Sequence, residues 1–317
     1  MRFYITIDTE EDSWGVYDKE CNSVENVCKL YQLQELFDEF NATPTYLVNY
    51  PVITNDISRD IIKQLHSKGN CEIGMHCHPW NTPPFDDSLD KYETMLCNLP
   101  YDLQQNKLKT LHNEISSLIG EEPISFRAGR WGFGPTVAQC IFKLGYKIDT
   151  SITPFVEWKE EKGPDFTQAP FHSYRFDPDN VLVEKTDGSM LEVPPTINFI
   201  QNNYKLCHKV RSKIISSSLS KYHLLGLLSR LGLLNFYWLS PELASGNQMV
   251  NIVKNALKKD RPYVNMSFHS TTLLPGKTPY VRNEQDLTNF LNSIRIVLQF
   301  AKDNNLQFNK LREALVF

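Results

Sequence analysis

No stretch of this 317-residue chain holds the roughly 18 consecutive apolar residues that a membrane-spanning helix needs. The opening MRFYITIDTEED lacks the basic start, the longer apolar run and the small-residue cleavage site of a secretory leader, which predicts a cytoplasmic protein. Neither charge is in large excess. Thirty-three Lys and Arg stand against 37 Asp and Glu, so the net charge is only −4 and nucleic acid has no electrostatic claim as a partner. Seven cysteines, odd in number and irregularly spaced, exclude a disulfide framework and predict reduced thiols. One region has no acid at all. Between Glu192 and Glu242 lie Lys205, Lys209, Arg211, Lys213, Lys221 and Arg230 and not one Asp or Glu. No repeat, low-complexity tract or linker marks a boundary, so the chain reads as one domain with a basic helical insertion at about residues 200–245.

What is present is an alternation of short apolar runs with helical patterns, the mark of βα units around a parallel sheet. Phe3–Ile7 is continuously apolar, as expected of a strand covered on both faces. A helix is expected over Val24–Phe40, a strand at Thr45–Val48, a helix at Asp56–Ser67 closed by Gly69 and a strand at Cys71–Met75. Leu108, Leu111, Ile115 and Leu118 mark another helix, with Gly120 at its end. Ile124–Phe126, Tyr146–Ile148, Met190–Val193 and Tyr263–Phe268 read as later strands, and Asn283–Lys302 as a long amphipathic helix.

Reactive residues gather where these strands end, which is where parallel α/β barrels place their sites. Asp8, Glu10 and Glu11 follow the first strand, and His76 and His78 the third. Arg127, Asp149 and His269 follow later ones. His76-Cys77-His78 is the most informative piece. Residues two apart on extended backbone point the same way, so both imidazoles reach one ion, unless they are merely polar residues of a loop. Two histidines and one carboxylate would leave positions open for water and substrate. Glu11 and Asp12 read as a solvated acidic loop, and Cys77, pointing the other way, as packing.

The ordered motifs TIDTEED, GMHCHPWNTPP, SFRAGRWGFG, YKIDTSI, LEVPP and NMSFHSTTL resemble the polysaccharide deacetylases of the NodB-homology group, carbohydrate esterase family 4, and among them the cytoplasmic WalW-like branch. The resemblance covers roughly residues 1–200 and 260–315. It implies a distorted (β/α) barrel and a divalent metal, zinc first, with cobalt, manganese or nickel as alternatives. It also implies hydrolysis of an acyl group from a sugar, free, nucleotide-linked or lipid-linked, in surface-polysaccharide or lipopolysaccharide metabolism.

By the same resemblance Asp8 is the catalytic base, Arg127 holds it, Asp149 pairs with that arginine, and His269 is the general acid. His76 and His78 are metal ligands. The family's second aspartate, a ligand, is replaced here by Thr9, which passes the role to Glu10, and the histidines are closer together than the family's usual spacing. Asp8 and His269 are expected to face each other across the metal from opposite strands. Trp80 and Trp131 either pack or offer flat faces to a sugar, with Arg130 as a further substrate contact. Rival readings are a deformylase or other linear-amide hydrolase, and a catalytically silent carbohydrate-binding or regulatory protein, for which Thr9 is the only hint.

The insertion reads first as a helical pair over the barrel, leucines inward and lysines solvated. Its charge pattern also suits peripheral membrane contact over residues 205–239, or attraction of a phosphate on the substrate.

Overall fold

The computed structural model describes residues 1–85, 90–217 and 224–316, so Lys221 lies outside the described residues. Its strands are β1 (Arg2–Thr9), β2 (Thr45–Val48), β3 (Glu72–Cys77), β4 (Ser125–Ala128), β5 (Ile148–Asp149), β6 (Tyr174–Phe176), β7 (Met190–Glu192), β8 (Ile197–Phe199), β9 (Phe236–Trp238), β10 (Tyr263–His269) and β11 (Gln307–Phe308). The helices are α1 (Leu30–Asp38), α2 (Tyr50–Thr54), α3 (Asp56–Ser67), α4 (Tyr101–Ile119), α5 (Pro135–Lys143), α6 (Tyr204–Ile215), α7 (Leu224–Arg230), α8 (Gly246–Lys258) and α9 (Glu284–Asp303).

The main sheet runs β10-β1-β2-β3-β4-β5-β7-β6, parallel throughout except for the β6 edge, with β11 beside β1. It curls into a half-barrel. The chain after β7 then runs along β10, where Thr196 N donates to Asn265 O at 2.9 Å and Ser267 N donates to Leu239 O at 3.1 Å. The result is the distorted (β/α) barrel.

Alternation along each strand divides the molecule into an outer and an inner face. Phe3, Ile5 and Ile7 of β1 join the large core shared with the helices. Tyr4 points inward to meet Ile148, Leu191, Val193 and Tyr263 in a small core at the barrel's base, plugged by Leu311 and Ala314. Above it lies a buried polar layer. Thr6 Oγ donates to Asn265 Oδ1 at 3.0 Å, and the Asn265 amide donates to Thr150 Oγ1 at 3.2 Å.

The element boundaries shift in ways that matter. The strands run further than the apolar runs alone suggest, so Asp8, His76 and His269 stand inside β1, β3 and β10 rather than beyond them. The Val24–Phe40 helix opens instead as a 3₁₀ turn, Glu25–Lys29, before α1. Asp12 is the reason: its carboxylate accepts from Glu25 N at 2.8 Å and Asn26 N at 3.1 Å.

The insertion departs from its expected packing. It forms α6, α7 and the β8–β9 hairpin around a satellite core of Phe155, Phe199, Cys207 and Leu234. α7 fully buries none of its residues, so the leucines do not all turn inward. All seven cysteines are free, and Cys77 packs in the outer core. Among the described residues no helix is long and apolar enough to cross a membrane.

One buried cation braces the segment after β3. Lys107 of α4 donates from Nζ to the carbonyls of Pro79 at 2.8 Å, Thr82 at 2.6 Å and Pro84 at 2.7 Å. Lys107→Met keeps the stem but strands those carbonyls. The expected loss is about 3 kcal/mol, read as a lower urea midpoint, and an unchanged midpoint would show that the brace is dispensable.

Candidate metal and acid-base site

β1, β3, β4 and β10 deliver their last inward side chains to one end of the barrel. Arg127 on β4 is wholly buried and anchors the group. Its Nη1 donates to Asp8 Oδ1 at 2.6 Å, its Nη2 to Thr6 Oγ1 at 2.7 Å and its Nε to Thr150 O at 2.9 Å. Burial alone would raise the Asp8 carboxyl, yet the Arg127 guanidinium, with His76 and His269, holds it below its ordinary value.

Glu10, His76 and His78 meet beside Asp8, with one ligand atom from each within 4.8 Å of the others. His76 Nδ1 lies 3.1 Å from Arg127 O, a contact that makes it the N–H and leaves Nε2 as a lone pair. His78 Nδ1 lies 3.1 Å from Glu11 Oε1, with the same effect. The two Nε2 atoms then face each other at 2.9 Å, with Glu10 Oε2 at 3.4 and 3.2 Å. Three converging acceptors repel unless a cation sits among them, so these residues fit a divalent metal.

Without an ion the site takes a proton. Against burial, which favours the neutral imidazole, Glu11 and Glu10 push His78 up to about 10. Glu10 is held well below the carboxylate range: burial opposes this, and His269, His76 and His78 overcome it.

His269 lies on β10 in direct register with Asp8. The two are neighbours, Nε2 to Oδ2 3.6 Å, not opposed across the barrel as expected. Glu242, which sequence reasoning passed over, holds the ring through Nδ1 at 3.0 Å and also accepts from Thr272 Oγ1 at 2.6 Å. Against burial, Glu242, then Glu10 and Asp8, push His269 up to about 10.

Two expectations are corrected here. Glu11 and Asp12 are not a solvated loop; both are buried, Asp12 as the cap of the 3₁₀ turn and Glu11 beneath the site. Glu11 accepts from Trp80 Nε1 at 3.1 Å and from the Asn49 amide, as well as touching His78. Asp149 does not pair with Arg127. It sits in register with Phe126, on the outer face, and accepts from Ser151 Oγ at 2.7 Å beside Glu192; Thr150 takes the inward place. Burial raises both carboxyls, Glu192 far above its usual range. Of the two roles open to Trp80, packing has a contact behind it: the indole stacks on His78, centroids 4.1 Å apart, while lining the pocket.

The site opens into a cavity of ≈ 540 Å³ lined by all five tryptophans of the chain, Trp14, Trp80, Trp131, Trp158 and Trp238. Contacts run around its rim. Trp14 meets Tyr280 after β10, and Tyr17 meets both Trp80 and the Arg130 guanidinium. Arg130 pairs with Glu161 at 2.7 Å, and Trp131, Trp158 and Trp238 touch one another. Glu242, on His269, also lines the cavity.

No family model matches the sequence, and no curated protein matches it. Solved structures do match. A protein assigned as a polysaccharide deacetylase from Mycobacterium smegmatis superimposes with a TM-score of 0.55 at 12% identity, over 99% of this chain and 88% of that one. One assigned as a glycoside hydrolase or deacetylase from Parabacteroides distasonis gives 0.60 at 10%, over 99% and 70%. An allantoinase gives 0.53 at 13%, over 98% and 88%. At such identities the likeness establishes the fold: the chain has the fold of the polysaccharide deacetylases.

The glycine after β4 offers a test of the ligand set. A Cβ on Gly129 would land on the His78 ring and lie 2.7 Å from Cys77 O. Gly129→Ala should therefore displace His78 and weaken divalent-metal binding roughly tenfold or more in calorimetric titration. Unchanged affinity would place the metal away from His78.

Proposed function

We propose that this chain, which carries the fold of the polysaccharide deacetylases, is a metal-dependent hydrolase that removes an N-acetyl or other acyl group from a sugar. The observation that supports it most is the convergence of a cation-seeking Glu10, His76 and His78 cluster with two oriented proton carriers, Asp8 and His269, at one end of a parallel barrel. The aromatic lining of the pocket favours a sugar, whose apolar face stacks on indole rings.

Glu10, His76 and His78 would hold the metal, which in general supplies carbonyl polarisation and lowers the pKa of a water from 15.7 toward roughly 7. The chain's own residues carry the protons. Asp8, kept ionised by Arg127, accepts one from the attacking water. His269, kept protonated by Glu242, donates one to the departing nitrogen or oxygen. Glu11 keeps the His78 tautomer, as the Arg127 carbonyl keeps that of His76. Zinc is the first choice of metal, because two imidazoles and one carboxylate suit it.

Amine release from an N-acetylated sugar, with metal added back, tests the reading. Asp8→Asn should retain metal and lose roughly 10³-fold in turnover. Persisting activity removes Asp8 as base.

Glu242→Gln gives a separate signature. A His269 pKa raised by Glu242 extends the acid form above the ordinary imidazole range, and its loss as pH rises sets the alkaline limb of activity. Removing the carboxylate lowers that pKa, so the limb should move to lower pH while metal binding stays. A limb that does not move shows that His269 is not the acid.

A further inference from the structure

We infer that the face built by α6 and α7 docks on an anionic lipid bilayer. Six of the sixteen large apolar side chains exposed among the described residues fall between Leu206 and Leu233. They are Leu206, Val210 and Ile215 on α6 and Leu227, Leu231 and Leu233 on and after α7. Leu225 and Leu228 seat α7 on the satellite core, so its packing against the protein is satisfied while those other leucines stay outside.

Beside the apolar residues runs a cationic stripe. Lys205, Lys209 and Lys213 recur every fourth residue along α6, all exposed, and Lys209 and Lys213 stand three residues from Leu206 and Val210, beside them on the helix surface. Arg230 ends α7. Arg211 takes no part, its guanidinium turned onto the Phe236 ring at 4.2 Å. Glu157, Glu160 and Glu161 line the groove beside α6, and Asp165 lies close enough to act on His208 of that helix.

Exposed leucines edged by lysines with no acid among them are the composition of a helix that lies in a membrane interface. Charge chooses between occupants. A second copy of the chain would bring like-charged stripes together, whereas an anionic bilayer neutralises the lysines and takes up the leucines. The groove shares Trp158 and Glu161 with the catalytic pocket, so the docking face lies next to its mouth.

Co-sedimentation of the full chain with vesicles tests this. Equal parts phosphatidylglycerol and phosphatidylcholine should bind it at low salt, pure phosphatidylcholine far less, and added salt should weaken binding. Lys205→Gln/Lys209→Gln/Lys213→Gln should lower the partition coefficient roughly a hundredfold. Leu227→Ser/Leu231→Ser/Leu233→Ser should remove the part that survives high salt. All six sites are exposed, and an unchanged melting temperature verifies each variant's fold. Failure to bind anionic vesicles at low salt overturns the inference, as does binding indifferent to both triple variants. So does a dimer that the leucine variant dissolves in a chain that ignores vesicles. None of these readings depends on turnover, so the deacylase proposal stands or falls separately.

Discussion

A single guanidinium, shut away from water, governs the working end of this barrel. Arg127 has no solvent to share its charge with, and the Asp8 carboxylate at 2.6 Å is its counterion. Taking either partner away would leave an unpaired buried charge, costing about 3–5 kcal/mol, so the pair is locked. Its other donors fix Thr6 and Thr150, and through them Asn265, giving the barrel a polar middle layer instead of an apolar one. The same residue's carbonyl sets the His76 tautomer. Asp8 and His76 are thus registered to each other through one side chain and its own backbone.

The site repeats one device. A carboxylate that does no chemistry grips an imidazole at Nδ1, so that Nε2 faces the pocket. Glu11 does this for His78 and Glu242 for His269. What each ring does then depends on its surroundings. His78 Nε2 meets two further acceptors, Glu10 Oε2 and His76 Nε2; His269 Nε2 meets the Asp8 carboxylate, with Glu242 at its other nitrogen. Two side chains of one kind thus stand in different surroundings, which is what the proposed division of ligand and acid draws on.

Much of this could be read from the residues in order. Apolar runs of strand length, broken at Asp8, His76, Arg127 and His269, announced both the parallel sheet and the end of it that matters. Alternation placed His76 and His78 together and sent Cys77 to the outer core. What alternation could not supply was phase at a short strand. β5 has two residues, too few to reveal which of Asp149 and Thr150 turns inward, and a motif match chose the acid. Glu11 and Asp12 looked solvated because an acidic run usually is; their partners Trp80, Asn49 and Asn26 lie 14 to 69 positions away. Glu242 was invisible for the same reason. It comes from the end of the insertion, and only the hairpin of β8 and β9 carries it back to β10.

The placement of the tryptophans has an optical consequence. Every indole of the chain borders the pocket, and none is spent elsewhere in the core. Excited at wavelengths that only indole absorbs, the folded protein therefore emits from its pocket alone. Trp80 stacked on His78 and Trp14 edge-on to His269 put two of those emitters against rings whose charge depends on what occupies the site. An imidazolium in contact quenches indole more than a neutral ring does, so the brightness of this molecule is a running account of the charge and occupancy of that pocket.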